Sequence, residues 1–200
     1  MAWNSRVDHV APFRVMHLLE MAQAREVAGH DVIHLEVGEP DFATPEPIIA
    51  AGQQALARGH TRYTPAAGLP ALREAIAGHY AEHFNATVDS ARILVTPGAS
   101  GALLLASQLL VESLAMLASP STPTGHTLSA QQLSAVLAAV AEREGEVIVD
   151  EIYQGLNYDD APLSATSLSA NAFVVNSFSK YFGMTGWRLG WLVAPEHAVE

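Results

Sequence analysis

The spacing of apolar positions along the chain changes several times, and each change predicts an element. From Pro12 to Gly29 they recur at helical intervals, with Phe13, Met16, Leu18 or Leu19, and Val27 near one stripe and Gly29 as a stop. Val32 to Val37 alternates as a short strand would, and Gly38-Glu-Pro-Asp-Phe breaks it. Helices are predicted over 44–58 and 69–84, joined by the loop Arg62-Tyr-Thr-Pro-Ala-Ala-Gly68. From there strands and helices alternate. Strands are predicted at 92–96, 114–118, 147–149, 173–175 and 190–194, and helices at 102–111 and 129–143, with Ser129 suited to an N-cap. The runs at 147–149 and 173–175 are continuously apolar, as strands covered on both faces require. This order predicts an α/β sheet with ligand chemistry at the carboxyl ends of its strands.

Composition narrows the function. Two hundred residues, half of them hydrophobic, suffice for one sizeable core and an appended arm. A formal charge of −11 argues against nucleic acid and against anionic membrane surfaces, both of which need clustered Lys and Arg. Without cysteine there is neither a disulfide framework nor a thiolate metal site. Met1 to Val15 lacks the apolar core of a signal peptide, and Gly101 to Val111 is too short to span a bilayer, so a cytoplasmic location is expected. Nine of the ten basic residues are Arg, and Lys180 is the single Lys. Arg cannot act as a neutral amine nucleophile, so Lys180 is a candidate for covalent chemistry, although chance survival of a surface lysine fits the count equally well.

Three polar clusters fall at predicted strand ends. Pro97-Gly-Ala-Ser-Gly101 turns from strand to helix, and its free N–H groups with the Ser100 hydroxyl could cradle a phosphate or simply make the turn. Val147-Ile-Val-Asp150-Glu151-Ile-Tyr153 puts a carboxylate directly after a buried strand, where it needs a partner; alternation sends Asp150 and Glu151 to opposite faces. Asp150 could keep a pyridine nitrogen protonated or cap a neighbouring helix. Asn176-Ser-Phe-Ser-Lys180-Tyr-Phe-Gly-Met-Thr-Gly-Trp-Arg188-Leu-Gly190 is the richest. Ser177 and Ser179 can donate to phosphate oxygens, Arg188 can grip phosphate bidentately, and Lys180 can form an imine with an aldehyde.

That last stretch resembles the S-x-S-K…M-T-G-W-R-x-G motif of fold-type I pyridoxal-phosphate-dependent aminotransferases of class I/II, the aspartate aminotransferase-like group. Further segments resemble the family in order: Leu35 to Phe42, Tyr63 to Leu69, Thr96 to Gly101, Ser119 to Gly125 and Val149 to Tyr153. The resemblance implies a three-layer, mostly parallel sheet with helices on both faces, plus an N-terminal arm. Residues 1–44 would be arm and part of a small domain, and 45–200 a partial cofactor-binding large domain. It implies that the cofactor is pyridoxal 5′-phosphate, that Lys180 forms the Schiff base, and that amino acid and 2-oxo acid are the substrates. Asp150 would face the pyridinium nitrogen, Tyr153 the 3′-oxygen, and Ala99, Ser100, Ser177 and Arg188 the phosphate. Tyr63 would reach the phosphate of a neighbouring subunit, implying a homodimer, and Gly38 would contact the substrate carboxylate through its backbone.

Three departures stand out. Thr122 occupies the place of the family's cofactor-binding Asn, offering one hydroxyl in place of an amide. Between the helix ending near Val111 and the strand at 114, the family carries several dozen residues, two strands and the aromatic that stacks on the cofactor. Their loss forfeits about 0.5–1.5 kcal/mol of stacking and exposes a sheet edge. The family's C-terminal small domain, whose arginine holds the substrate carboxylate for roughly 1.5–3 kcal/mol or more, has no counterpart before Glu200. Weak or absent activity is the expectation for this polypeptide. Rival readings are a non-catalytic cofactor-binding relative, a C–S lyase of the same family, and a zinc hydrolase using the His79-Tyr-Ala-Glu82-His83 spacing, which otherwise reads as a helix surface.

Overall fold

The computed structural model describes residues 13–110, 114–158 and 161–199. Pro12 and Val111, at the ends of two expected helices, and the first twelve residues of the expected arm lie outside them. The chain divides into two compact units, residues 1–41 and 42–200.

The first unit contains α1 (Arg14–Val27), closed by Gly29 at φ +87°, whose N–H donates to the Glu26 carbonyl. None of its residues is buried. The expected strand over 32–37 does not form, and the segment runs as an irregular chain with Ile33 and Leu35 exposed. Alternation alone does not make a strand, because an extended segment needs a hydrogen-bonded neighbour.

The second unit follows the order α2 (Glu46–Ala57), α3 (Pro70–Phe84), β1 (Ile93–Thr96), α4 (Gly98–Leu109), β2 (Leu114–Ala118), α5 (Ala130–Ala141), β3 (Glu146–Asp150), β4 (Phe173–Ser177) and β5 (Gly190–Val193). Proline opens both α2 and α3 within the first two positions, where its missing N–H costs nothing. Ser129 and Gln132 form a reciprocal capping box at the start of α5. One boundary differs from expectation. Helix α4 begins at Gly98, so Gly-Ala-Ser-Gly101 is its first turn and not a separate loop.

The five strands form one sheet in the order β1-β5-β4-β3-β2. The β4–β3 and β3–β2 pairs are parallel; β5 alone runs against its neighbours. Alternating side chains supply two cores. On one face Ile93, Trp191, Val193, Val174, Val147 and Val149 meet α3 and α5. On the other, Leu192, Phe173, Val175 and Ile148 meet Ala99, Ala102 and Ala106 of α4. Small residues on α4 let the helix lie close to the strands. The result is the expected three-layer α/β sheet.

Two polar details constrain this fold. Glu151, directly after β3, is fully buried, and its Oε1 accepts the Ala165 N–H at 2.6 Å. Burial pushes its carboxyl from 4.5 up to about 8, with the Ala165 N–H and then Ser164 opposing the rise. At the sheet margin, β2 leaves Leu114 and Met116 exposed, 39% and 64%, so an apolar strand edge faces outward.

Both features predict measurable behaviour. Between 4.5 and about 8 the folded chain holds a proton on Glu151 that the unfolded chain has released, so stability falls as pH rises through that window. Glu151→Gln keeps an acceptor for Ala165 and should remove this part of the slope, on the order of a few kcal/mol between pH 5 and pH 8, as read by urea unfolding. Equal slopes in both proteins would contradict it. Met116→Lys should reduce concentration-dependent association in light scattering by placing a charge on the open edge.

Candidate active site

The register brings the polar clusters to one end of the sheet. Thr96 at the end of β1 pairs with Gly190 at the start of β5, and Gly190 pairs on its other side with Ser177 at the end of β4. Val175 pairs with Asp150, and Asp150 with Ala118. The segments leaving these positions therefore share one rim: the start of α4, the loop from Ser119, the Asp150–Tyr153 segment and the stretch from Ser177 to Arg188.

At one side of the rim lies an anion cradle. Gly98 has φ +70°, and a Cβ there would meet the Arg188 guanidinium at 2.6 Å. The guanidinium thus lies against the first turn of a twelve-residue helix, whose leading N–H groups have no partner within the helix. Arg188 itself sits in the left-handed region at φ +53°, and its Nη1 donates to the Thr185 carbonyl at 2.9 Å. The cradle contains Ala99, which is buried, and Ser100, which is exposed. A cationic fork beside a helix N-terminus fits a phosphate monoester.

The lysine segment is braced from several sides. Asn176 Oδ1 accepts the Ser177 N–H at 2.7 Å, and the Ser177 hydroxyl accepts the Ser179 N–H at 3.1 Å. Thr185 donates to the Ser179 carbonyl at 2.9 Å. Thr44 donates to the Gly183 carbonyl at 2.7 Å and accepts from Trp187 Nε1 at 3.1 Å. Lys180 Nζ lies 5.9 Å from the centroid of the Tyr153 ring. Tyr153 in turn lines a cavity of about 600 Å³ together with Thr122 and its neighbours Pro120, Ser121 and Pro123.

Asp150 is largely buried, and burial raises its carboxyl above the ordinary 3.8, while the Ile152 N–H opposes the rise. Its Oδ1 accepts that N–H at 3.0 Å, which closes a local turn. Asp150 and Glu151 do diverge, one to the rim and one into the core. Two further expected residues lie outside these clusters in the chain. Tyr63 is wholly exposed on its loop, and Gly38 belongs to the first unit. The His79/Glu82/His83 spacing lies on α3, and among the described residues no group of three or more His, Cys, Asp or Glu could hold a metal.

The sequence marks Gly190 as the end of a motif and Thr44 as a helix start, but gives neither its packing role. A glycine at the start of a strand signals a close backbone approach, and here a Cβ on Gly190 would lie 2.5 Å from the Gly98 carbonyl carbon and 2.7 Å from Ala99 N. Thr44 carried no such signal, since its partners lie 139 and 143 residues away.

Comparison with known proteins is consistent across sequence and structure. The family model for aminotransferase class I and II matches residues 30–114 and 112–200, breaking where α4 gives way to β2. The valine–pyruvate aminotransferase of Mycobacterium tuberculosis is 33% identical over 239 positions, covering 93% of this chain and 62% of the relative. The aspartate aminotransferase of Geobacillus stearothermophilus is 32% identical over 253 positions, covering 98% and 64%. The crystal structure of Thermus thermophilus aspartate aminotransferase with maleate superposes with a TM-score of 0.94 at 25% identity, covering all of this chain and 66% of that one. The chain thus spans somewhat under two thirds of the length of these relatives, and the alignments are longer than its 200 residues.

A Cβ at Gly190 has only backbone to displace. Gly190→Ala should therefore cost about 1–3 kcal/mol of stability and loosen the cradle, measured as a lower urea midpoint and weaker binding of inorganic phosphate. An unchanged midpoint would contradict the close packing.

Proposed function

Because the chain belongs to the class I and II aminotransferase family, whose members depend on pyridoxal 5′-phosphate, we propose that it moves the amino group of an amino acid to a 2-oxo acid, with Lys180 as the amine that engages the cofactor aldehyde. The observation that carries this reading is the shared rim, where an anion cradle, a half-buried carboxyl and the chain's single lysine leave neighbouring strands.

The bound cofactor supplies an electron sink for bonds at the substrate α-carbon. The remaining roles fall to side chains of this chain. The Ala99 and Ser100 N–H groups, the Ser100, Ser177 and Ser179 hydroxyls and the Arg188 guanidinium hold the phosphate; Arg188 spends one nitrogen on Thr185 and keeps the others for the anion. Asp150, driven toward neutrality by its own burial, gains most from a cationic partner, which suits it to hold a proton on the ring nitrogen. Tyr153 and Thr122 offer hydroxyls to the 3′-oxygen from the wall of the 600 Å³ cavity. Lys180, on its flexible stem, moves the proton at the substrate α-carbon.

Gly38 would meet the substrate carboxylate through its backbone. The exposure of Tyr63 suits a residue that serves a second subunit, so a homodimer is part of the proposal. So is the division into an arm with part of a small domain (1–44) and a cofactor-binding large domain (45–200), acting in the cytoplasm.

Purified protein mixed with pyridoxal 5′-phosphate should develop a visible absorbance band that Lys180→Ala abolishes. Arg188→Ala should keep the band but weaken cofactor binding about 10–100-fold, the equivalent of one lost charge-assisted contact. A band that persists without Lys180, or no band at all, would sink the assignment. Product analysis with amino acid and 2-oxo acid then separates amino transfer from elimination.

A further inference from the structure

Two aromatic rings of the lysine segment rest on glycines. A Cβ on Gly52 of α2 would lie 2.8 Å from the Trp187 indole, and a Cβ on Gly155 would lie 2.8 Å from Cδ2 and 3.0 Å from Cε2 of Tyr181. Each ring therefore occupies the volume that a side chain on its glycine would need. At Gly155 the demand is double, because the backbone there has φ +86°, a conformation that glycine adopts without steric cost and residues with a Cβ do not. Trp187 lies at the far end of the segment. Tyr181 directly follows Lys180.

The Gly155 socket belongs to the turn that carries Tyr153. Gln154 N–H donates to the Glu151 carbonyl at 2.9 Å, and Leu156 N–H to the Tyr153 carbonyl at 3.2 Å. The turn is anchored to β4 by Glu151 N–H, which donates to the Val175 carbonyl at 2.8 Å. It is anchored to the Ser119 loop by the buried Gln154 amide, whose Nε2 donates to the Ser119 carbonyl at 3.0 Å. The Tyr181 ring also packs nearly perpendicular to Phe182 at 5.0 Å, and Phe182 in turn meets His79 of α3 at 5.5 Å. Tyr181 is thus held between an anchored turn and a ring that leans on α3.

Two functional side chains flank this contact. Lys180 precedes Tyr181, Tyr153 lies two residues before Gly155, and Lys180 Nζ stands 5.9 Å from the centroid of the Tyr153 ring. That separation is at the outer limit of about 6 Å within which a cation and an aromatic face attract each other. A small displacement of one segment against the other would end the interaction.

We propose that Tyr181 is a positioning residue: seated on Gly155, its ring fixes the lysine segment against the turn and so holds the Lys180 amine over Tyr153. The proposal rests on the reading of Lys180 and Tyr153 as members of the cofactor site. Tyr181 acts through the shape of its ring and not through its hydroxyl.

Because Lys180 is the chain's only lysine, lysine labelled with ¹³C at Cε gives the full chain a single side-chain NMR signal, visible without cofactor. Tyr153→Leu removes the ring under the amine and defines where that signal lies once the contact is lost. Tyr181→Ala should move it most of the way to that position, and Tyr181→Phe should leave it as in the wild type. Tyr181→Ala added to Tyr153→Leu should move it no further. Gly155→Ala, which drives a Cβ into the Tyr181 ring, should shift it in the same direction and serves if Tyr181→Ala does not fold. A wild-type signal in Tyr153→Leu, Tyr181→Ala or Gly155→Ala, or a further shift in the double variant, would overturn the proposal. With no cofactor present, the result is independent of the absorbance band that tests Lys180 as the cofactor's amine.

Discussion

A Cβ on Gly190 would lie 2.5 Å from the Gly98 carbonyl carbon and 2.9 Å from the Asn176 carbonyl oxygen, and this close backbone approach is the constraint on which the rim depends. It lets β5 sit between β1 and β4 while the first turn of α4 presses directly on the strand. Arg188, two residues before Gly190, is thereby delivered to Gly98, the second position where a side chain would not fit. Two glycines thus replace side-chain volume with backbone donors and a guanidinium. The main-chain part of this wall is rigid because backbone cannot change rotamer, and the Arg188 guanidinium is steadied by its bond to the Thr185 carbonyl.

The adjacent carboxyls after β3 show how the same strand end serves two opposite needs. Asp150 keeps some solvent contact and a single local N–H, so its charge is discouraged but remains available to a cationic partner. Glu151 turns into the core, anchors the Ala165–Ser167 turn, and stays protonated through neutral pH. Period-two geometry dictates that split before any question of function arises.

Most of the second unit was legible from the chain, because buried strands announce themselves as short apolar runs and helices as proline-opened or Ser-capped segments. The polar clusters were legible too, since they follow those strands immediately. What the sequence could not supply were relations between distant residues. The segment expected as a strand at 32–37 has the right alternation but pairs with no strand among the described residues, and Ile33 and Leu35 remain exposed. Pro97 to Gly101 is expected as a tight turn ahead of the helix because glycine disfavours helix, yet a positive φ at Gly98 turns the chain straight into α4. Thr44, bracing the lysine segment from the entrance of α2, has no local signature at all.

The break in the family match at 112–114 falls beside β2, the strand with an exposed edge. That location explains how the chain retains the rim while being shorter than its relatives. The two cores run through β3, β4 and β5, which are covered on both sides, whereas β2 contributes only partly buried side chains at the margin. Material absent next to β2 subtracts cover from the periphery and leaves the register of Thr96, Gly190, Ser177 and Asp150 intact. At that margin Leu114 and Met116 of β2 remain exposed. The register at the Gly190 end of the rim therefore does not depend on what lies beside β2.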